Sequence, residues 1–236
     1  MSSQCFPDAL RFDDEIPSLG KVLRQLDSTG GMSEMGSGVN PTDVDTGTRD
    51  QLIQRALELF ERNGYPRTSV EDIVDAAGLT KGAFYHHFQS KEEVLEIIHN
   101  DYVDAQVAMC EKIINQFANP REQFAQIARS TITSLGEYRA HVSVYLQDRR
   151  FLTGERRDNV TAKRNQVDRI FTGIIERGIA AGVFRKDVDA KLVAFGLIGM
   201  YAWVINWWRP GGPLSLKDVA DQYVELILGG LLTPSE

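Results

Sequence analysis

Residues 68–95 read TSVEDIVDAAGLTKGAFYHHFQSKEEVL, and three helix starts are packed into them. Thr68 stands three residues before Glu71, the capping-box spacing in which each side chain satisfies an orphan amide of the first turn. That predicts a short helix over residues 69–77, stopped at Gly78. Thr80 is placed to cap a second helix over residues 81–88, and Ser90 with Glu93 forms another capping box opening a long helix toward residue 117. Two short helices joined by Ala77-Gly78-Leu79 have the dimensions of a helix-turn-helix. Ile73, Val74, Ala77, Leu79 and Phe84 fall where the pair must pack on a preceding helix. Lys81, Ala83, Tyr85, His86 and His87 are left near the outer face. A helix this short offers its amino end to a major groove, where free amides and the helix dipole favour phosphate.

Working outward, Leu52, Ile53, Ala56, Leu57, Leu59 and Phe60 make an apolar stripe at helical spacing, ended by Asn63-Gly64. Downstream, helical patterns cover residues 120–136, 140–149, 155–181, 188–208 and 216–228, with Asn119-Pro120 as a start signal and Gly182 as a stop. No segment alternates as a strand would. Residues 1–46 are rich in Ser, Gly, Asp and Pro and read as a tail, with one short helix over residues 18–26. The expected architecture is all-α: a tail over 1–46, a DNA-binding unit over 47–95 and a larger helical domain over 96–236.

Composition constrains the partners. Apolar residues at 42% and charged residues at 25% fit a soluble globular chain. The net charge of −7 is spread so that no section is broadly basic, which excludes a protein that coats nucleic acid nonspecifically. Any DNA recognition must rest on geometry, with a few cations aimed at phosphates. Residues 1–10 lack the basic start and apolar run of a secretory signal. Cys5 and Cys110 form no metal or redox spacing, so a cytoplasmic chain with reduced thiols is expected. His86 and His87 diverge by about 100° around a helix and no third ligand stands at a suitable spacing, so no metal and no cofactor is expected. Hydrolase, zinc-protease and P-loop signatures are missing, which argues against an enzyme.

Residues 49–95, and the string AGLTKGAFYHHF above all, closely resemble the DNA-binding domain of the TetR/AcrR family of bacterial transcriptional regulators. The resemblance implies that Thr80, Lys81, Gly82 and Ala83 lie where the family approaches bases. It places Tyr85 and His86 at phosphate and base-edge positions, and Thr68 and Lys91 at flanking phosphate positions. It also implies a double-stranded operator as partner, a homodimer built by the last two helices, and release by a small molecule.

Residues 192–208 carry no charge and include Trp203, Trp207 and Trp208. A helix apolar on every side must be covered on every side: one face by the domain interior, the other by a second subunit. A membrane span normally needs about twenty apolar residues and would not contain Asn206, so no membrane is expected. Residues 149–169 are rich in arginine, either a solvated face with internal ion pairs or an anion site. The segment from residue 184 to 230, WWRPGGPLS above all, resembles regulators of fatty-acid and steroid-ring breakdown that respond to acyl-coenzyme A thioesters. The expected effector is such a thioester, with Phe195, Met200, Tyr201 and Trp203 around its acyl end and Lys163, Arg164 and Arg169 near its phosphates. A sensor of neutral lipophilic drugs is the alternative.

Overall fold

The computed structural model describes residues 41–233, with side-chain surroundings from residue 47 onward. The helix expected over residues 18–26 lies outside the described residues. Nine α-helices are found among those described: α1 (Pro41–Asn63), α2 (Val70–Ala77), α3 (Lys81–His87), α4 (Lys91–Gln116), α5 (Pro120–Thr133), α6 (Leu135–Asp148), α7 (Gly154–Ala180), α8 (Ala190–Trp207) and α9 (Leu216–Leu231). The only extended pairing among them is an isolated bridge between Phe184 and Leu232. The expected all-α fold is what the chain adopts.

The first helix begins at Pro41, inside the stretch 1–46 expected to be a tail. Proline costs nothing in a first turn, where its missing N–H would be unpaired anyway, so the tail-like composition of PTDVDTG hides a helix start. Leu52, Ala56, Leu57, Leu59 and Phe60 of α1 are buried against α2, α4 and α6. Gly64, at φ 82°, takes the left-handed turn that ends the helix, and a single 3-10 turn, Tyr65–Arg67, follows.

The cap of α2 is not where the spacing puts it. Ser69 is the N-cap: its hydroxyl accepts from the Asp72 N–H, and the Asp72 carboxylate accepts from Ser69 N at 2.7 Å. Thr68 is turned inward, 1% exposed, and its hydroxyl donates to Gly64 O at 3.1 Å and Leu59 O at 3.4 Å. Both T-x-x-E and S-x-x-D fit the sequence rule, and the 3-10 turn decides between them by rotating Thr68 into the core. Gly78 closes α2 at φ 65° with Leu79 N donating to Val74 O, and Thr80 caps α3 through Ala83 N as expected. At α4, Ser90 accepts from Glu93 N, but the Glu93 carboxylate takes the Gln89 N–H instead of completing the box.

In the second half, α5 stops at Thr133 and α6 starts at Leu135, whereas separate helices over 120–136 and 140–149 were expected. Ser134 O accepts from both Glu137 N and Tyr138 N, so the chain stays helical through Gly136 with a kink at Tyr138 (φ −103°, ψ 20°). The kink places Tyr138 in the core, 5% exposed. A capping box, Ser215 with Asp218, opens α9. α9 packs on α5, and α8 packs on α7, α6 and α5.

Ser69→Ala is expected to lower stability by about 1 kcal/mol, the usual cost of a lost N-cap. Thr68→Val is expected to cost more despite its matched shape, because it removes a buried hydroxyl's hydrogen bond, shared between Gly64 O and Leu59 O. Urea unfolding of both variants checks the order; a harmless Thr68→Val would show that the Thr68 hydroxyl does not hold the turn, and a harmless Ser69→Ala would take the capping role from Ser69.

Candidate DNA-reading surface and effector cavity

The α2–α3 pair presents a small polar surface. Phe84 (0% exposed) anchors α3 beside Ile73, Val74 and Phe88 in the core. That fixes the opposite face: Thr80, Lys81, Gly82, Tyr85 and His86 are exposed and Ala83 half-exposed. Tyr85, at 58%, is a large ring held in solvent. Lys81 reaches back to Glu71 at 2.6 Å in an exposed ion pair, which raises its pKa. Such surface pairs are weak, so Lys81 can leave Glu71 for a stronger anion at little cost. Gly82 has no conformational reason to be glycine: a Cβ there would meet only Thr80 Oγ1, at 3.6 Å, an ordinary contact.

Two expected phosphate contacts sit elsewhere. Thr68 is buried, as described above. The Lys91 ammonium is held by Tyr65 O at 2.7 Å and Thr68 O at 2.6 Å and lies 4.0 Å above the Tyr65 ring. Burial lowers its pKa. Both residues brace the turn before α2 and do not face outward with α3.

That turn is also the junction with the second domain. Tyr65 N donates to Asp148 Oδ2 at 3.2 Å, at the last residue of α6, and the Tyr65 ring stacks on Phe151 at 5.5 Å. Asp148 is 4% exposed, and burial pushes its carboxyl above the ordinary range. A second tie joins the start of α4 to the start of α7: Glu92 accepts from Thr153 N at 2.7 Å, and Arg156 pairs with Glu96.

The second domain holds an apolar cavity between α4, α5, α6, α7 and α8. Tyr102, Gln106, Thr131, Tyr145, Phe171 and Tyr201 are prominent in its wall, with Arg164 and Asp168 also lining it. Tyr102 and Tyr201 share a hydrogen bond through their hydroxyls, and burial raises both their pKa values. Behind them His99 and His141 stack among Tyr102, Tyr138 and Tyr145, and desolvation lowers each imidazole to about 4. The cavity volume is about 60 Å3, room for a few waters. A fatty or fused-ring group enters only if the walls move.

Of the expected ligand residues, Tyr201 and Arg164 line this cavity and the others do not. Phe195 (42% exposed) and Trp203 (65%) lie on the outer face of α8, and Met200 is half-buried outside the wall. Residues 195 and 203 fall on the opposite side of the helix from Leu197, Tyr201 and Val204, which an all-apolar sequence cannot reveal. Lys163 pairs with Asp104, and Arg169 is exposed on α7 away from the cavity. Sequence reading missed Tyr102, Thr131, Tyr145 and Phe171, which only the packing of four helices brings together.

An exposed recognition helix braced against a helical domain with an internal cavity defines a ligand-responsive helix-turn-helix transcription regulator. Residues 52–98 match the model of bacterial regulatory proteins of the tetR family, and residues 118–231 match the tetracyclin repressor-like C-terminal domain. The HTH-type transcriptional repressor KstR2 of Mycolicibacterium smegmatis is 33% identical over 185 residues, 78% of this chain and 90% of that protein. The solved ketosteroid transcriptional regulator KstR2 of Mycobacterium tuberculosis superposes with a TM-score of 0.73 at 29% identity, over 85% of this chain and all (100%) of the other. AibR, solved in complex with isovaleryl coenzyme A and operator DNA, gives 0.70 at 28% identity over 76% of this chain and 97% of the other. The chain belongs to the TetR family of bacterial regulatory proteins and is a transcription regulator, not an enzyme.

The two depressed imidazoles give a pH dependence with a definite sign. Their folded pKa of about 4 lies below the ordinary 6.5, so below pH 6.5 the unfolded chain binds protons that the folded chain refuses. Stability is expected to be insensitive to these groups above pH 6.5 and to fall between pH 6.5 and 4, by up to roughly 3 kcal/mol per imidazole. Chemical unfolding of His99→Phe across that range checks it: the slope should flatten, and an unchanged slope would clear His99 of the effect.

Proposed function

We propose that this regulator is a homodimeric repressor that reads a palindromic operator with α3 and releases it when an acyl-coenzyme A thioester enters the cavity. The observation that carries the DNA reading is Gly82. Nothing inside the protein requires a glycine there, whereas a helix start lying close against DNA leaves no room for a Cβ. Thr80, Lys81, Gly82, Ala83, Tyr85 and His86 form the contact surface, Tyr85 and Lys81 toward phosphates and base edges. Thr68 and Lys91 serve it from behind, by fixing the turn that aims α2 and α3. On this reading residues 47–95 are the DNA-binding unit, completed by the last turns of Pro41–Asn63, and residues 96–236 carry effector binding and dimerisation.

The dimer reading rests on the outer faces of α8 and α9. Leu192 (68% exposed), Phe195, Trp203, Trp207 and Leu226 (67%) form an apolar surface of the kind a soluble monomer rarely leaves open. Helix α8 is long and apolar enough to cross a membrane by length and composition. Its opposite face, Ala194, Leu197, Tyr201, Val204 and Ile205, is packed in the core, so a second copy is the cover that suits the remaining half. With both partners contributing α8 and α9, a four-helix interface results.

The effector reading rests on an apolar cavity with one arginine in its lining and on the relatives: AibR is solved with isovaleryl coenzyme A, and KstR2 is a ketosteroid transcriptional regulator. Coupling follows from α6. Tyr145 and Leu146 line the cavity, and Asp148, within one turn of both, holds the Tyr65 N–H. A ligand that forces the narrow cavity open displaces α6 and with it the turn before α2. It favours release only by the margin with which it prefers the open state.

Gly82→Ala should leave stability unchanged or raise it by up to about 1 kcal/mol, because alanine is the better helix former, yet weaken operator affinity at fixed salt. Tyr85→Ala should weaken binding by about 1–3 kcal/mol with the fold intact. Full affinity in both variants would remove α3 as the reading helix. Mass measurement at micromolar concentration should give a dimer, and Trp203→Asp should give a monomer. In an operator competition assay decanoyl-coenzyme A should release the protein and decanoate should not; equal potency of the two would make the coenzyme irrelevant and favour a neutral lipophile.

A further inference from the structure

Two hollows meet at Leu146. On one side lies the apolar cavity. On the other a polar cleft of about 620 Å3 opens at the domain junction, between the end of α1, the 3-10 turn and the end of α6. Three of its lining residues are Arg67, Arg149 and Arg150. Among the described residues none of the three is paired with a carboxylate. Arg67 Nε donates to the Asn63 carbonyl at 2.6 Å. The Arg149 guanidinium lies 6.0 Å from the Tyr145 ring centre and that of Arg150 lies 5.0 Å from the Phe151 ring centre. Asp148 is the only carboxylate in the lining, and it accepts the Tyr65 N–H.

The other cations of the arginine-rich stretch are already engaged. Arg156 pairs with Glu96, Arg157 with Asp158 and Lys163 with Asp104, and Arg164 reaches Asp168. Arg169 is exposed but lines neither hollow. The excess positive charge near the cavity is therefore concentrated in the cleft, where three guanidinium groups on its two walls stand against the single Asp148 carboxylate, which attracts Arg150.

We propose that this cleft binds the phosphate groups of the effector, whose apolar end occupies the cavity on the far side of Leu146. The inference rests on the effector reading given under Proposed function and specifies where the head group goes. Guanidinium forks match phosphate oxygens in pairs, and those of Arg149 and Arg150 are anchored on aromatic faces, which spares part of the entropy of ordering them. Arg67 belongs to the turn before α2, and Arg149 and Arg150 to the 3-10 turn Arg149–Phe151 that follows α6, so a phosphate held between them touches both domains at once. It also sits beside the Asp148 carboxylate, and like-charge repulsion weakens the hold of Asp148 on the Tyr65 amide. Head group and tail then act on one junction: the tail by moving α6, the phosphates by loosening its last contact with the reading domain.

The test is calorimetry on the full chain with coenzyme A and decanoyl-coenzyme A as probes, alongside operator binding without either. Arg149→Gln/Arg150→Gln should lose roughly tenfold in probe affinity per arginine, the scale of a lost charged hydrogen bond. Lys163→Gln/Arg169→Gln should bind both probes as the unaltered chain does, and operator affinity without probe should be the same in all three. Arg67→Gln, on the opposite wall, should repeat the loss and stands in if the double variant fails to fold. Retained probe affinity in the cleft variants overturns the proposal, as does an equal loss in the Lys163/Arg169 pair. Loss of operator affinity in the probe-free cleft variants would make the cleft a DNA-phosphate contact and also overturn it. If neither probe binds the unaltered chain, the effector reading itself fails and the cleft falls with it.

Discussion

The hydrogen bond from Tyr65 N to Asp148 is the joint on which the arrangement of this molecule depends. Around it the Lys91 ammonium ties Tyr65 O and Thr68 O to the first turn of α4, and Phe151 and Phe60 hold the Tyr65 ring. Three things are thereby fixed together: the end of α6, the start of α4 and the turn that aims α2 and α3. Burying a carboxylate, an ammonium and an amide at one spot is tolerable only because each finds a partner. Removing one member leaves the others unpaired in a desolvated place, so the joint is sensitive to small movements of α6.

That sensitivity matters because α6 also forms a wall of the cavity. The cavity is narrow, with aromatic side chains in its wall and two tyrosine hydroxyls bonded to each other. A close-packed apolar core resists continuous deformation, so a bulky guest must shift whole helices. Helices α4 and α6 carry Tyr102, His99, His141 and Tyr145 in this region; α4 starts and α6 ends at the reading domain. A shift that makes room for a ligand is therefore felt at Tyr65.

The two faces of α8 show a division of labour that its composition conceals. Tyr201 turns inward to the cavity while Trp203 and Phe195 turn outward. The exposed stripe is what the proposed second copy would cover, and the cleft arginines are what the proposed anionic head group would meet. Neither depends on the other, since the stripe lies on α8 and α9 and the arginines at the ends of the 3-10 turn and α6.

Local signals in the sequence were enough to determine the all-helical class, the helix-turn-helix and its packing residues. Capping pairs, Gly78, Gly182 and apolar spacing act within a few residues, and Ile73, Val74, Ala77 and Phe84 are buried as that spacing requires. Where two local rules tied, at Thr68 and Ser69, the tie was broken by the 3-10 turn that buries Thr68 beneath Leu59 O. The run of apolar residues in α8 could not say which side faces inward, because periodicity carries no information when every position is apolar. The basic residues of 149–169 looked equivalent along the sequence; Arg157 and Arg164 have local partners in Asp158 and Asp168, but only tertiary contacts with Glu96 and Asp104 separated Arg156 and Lys163 from the arginines left in the cleft. The sequence by itself determined the kind of protein this is, through short-range chemistry. The cavity, the cleft and the joint between the domains were decided by the tertiary structure alone, because each is made from residues that meet only when distant helices pack.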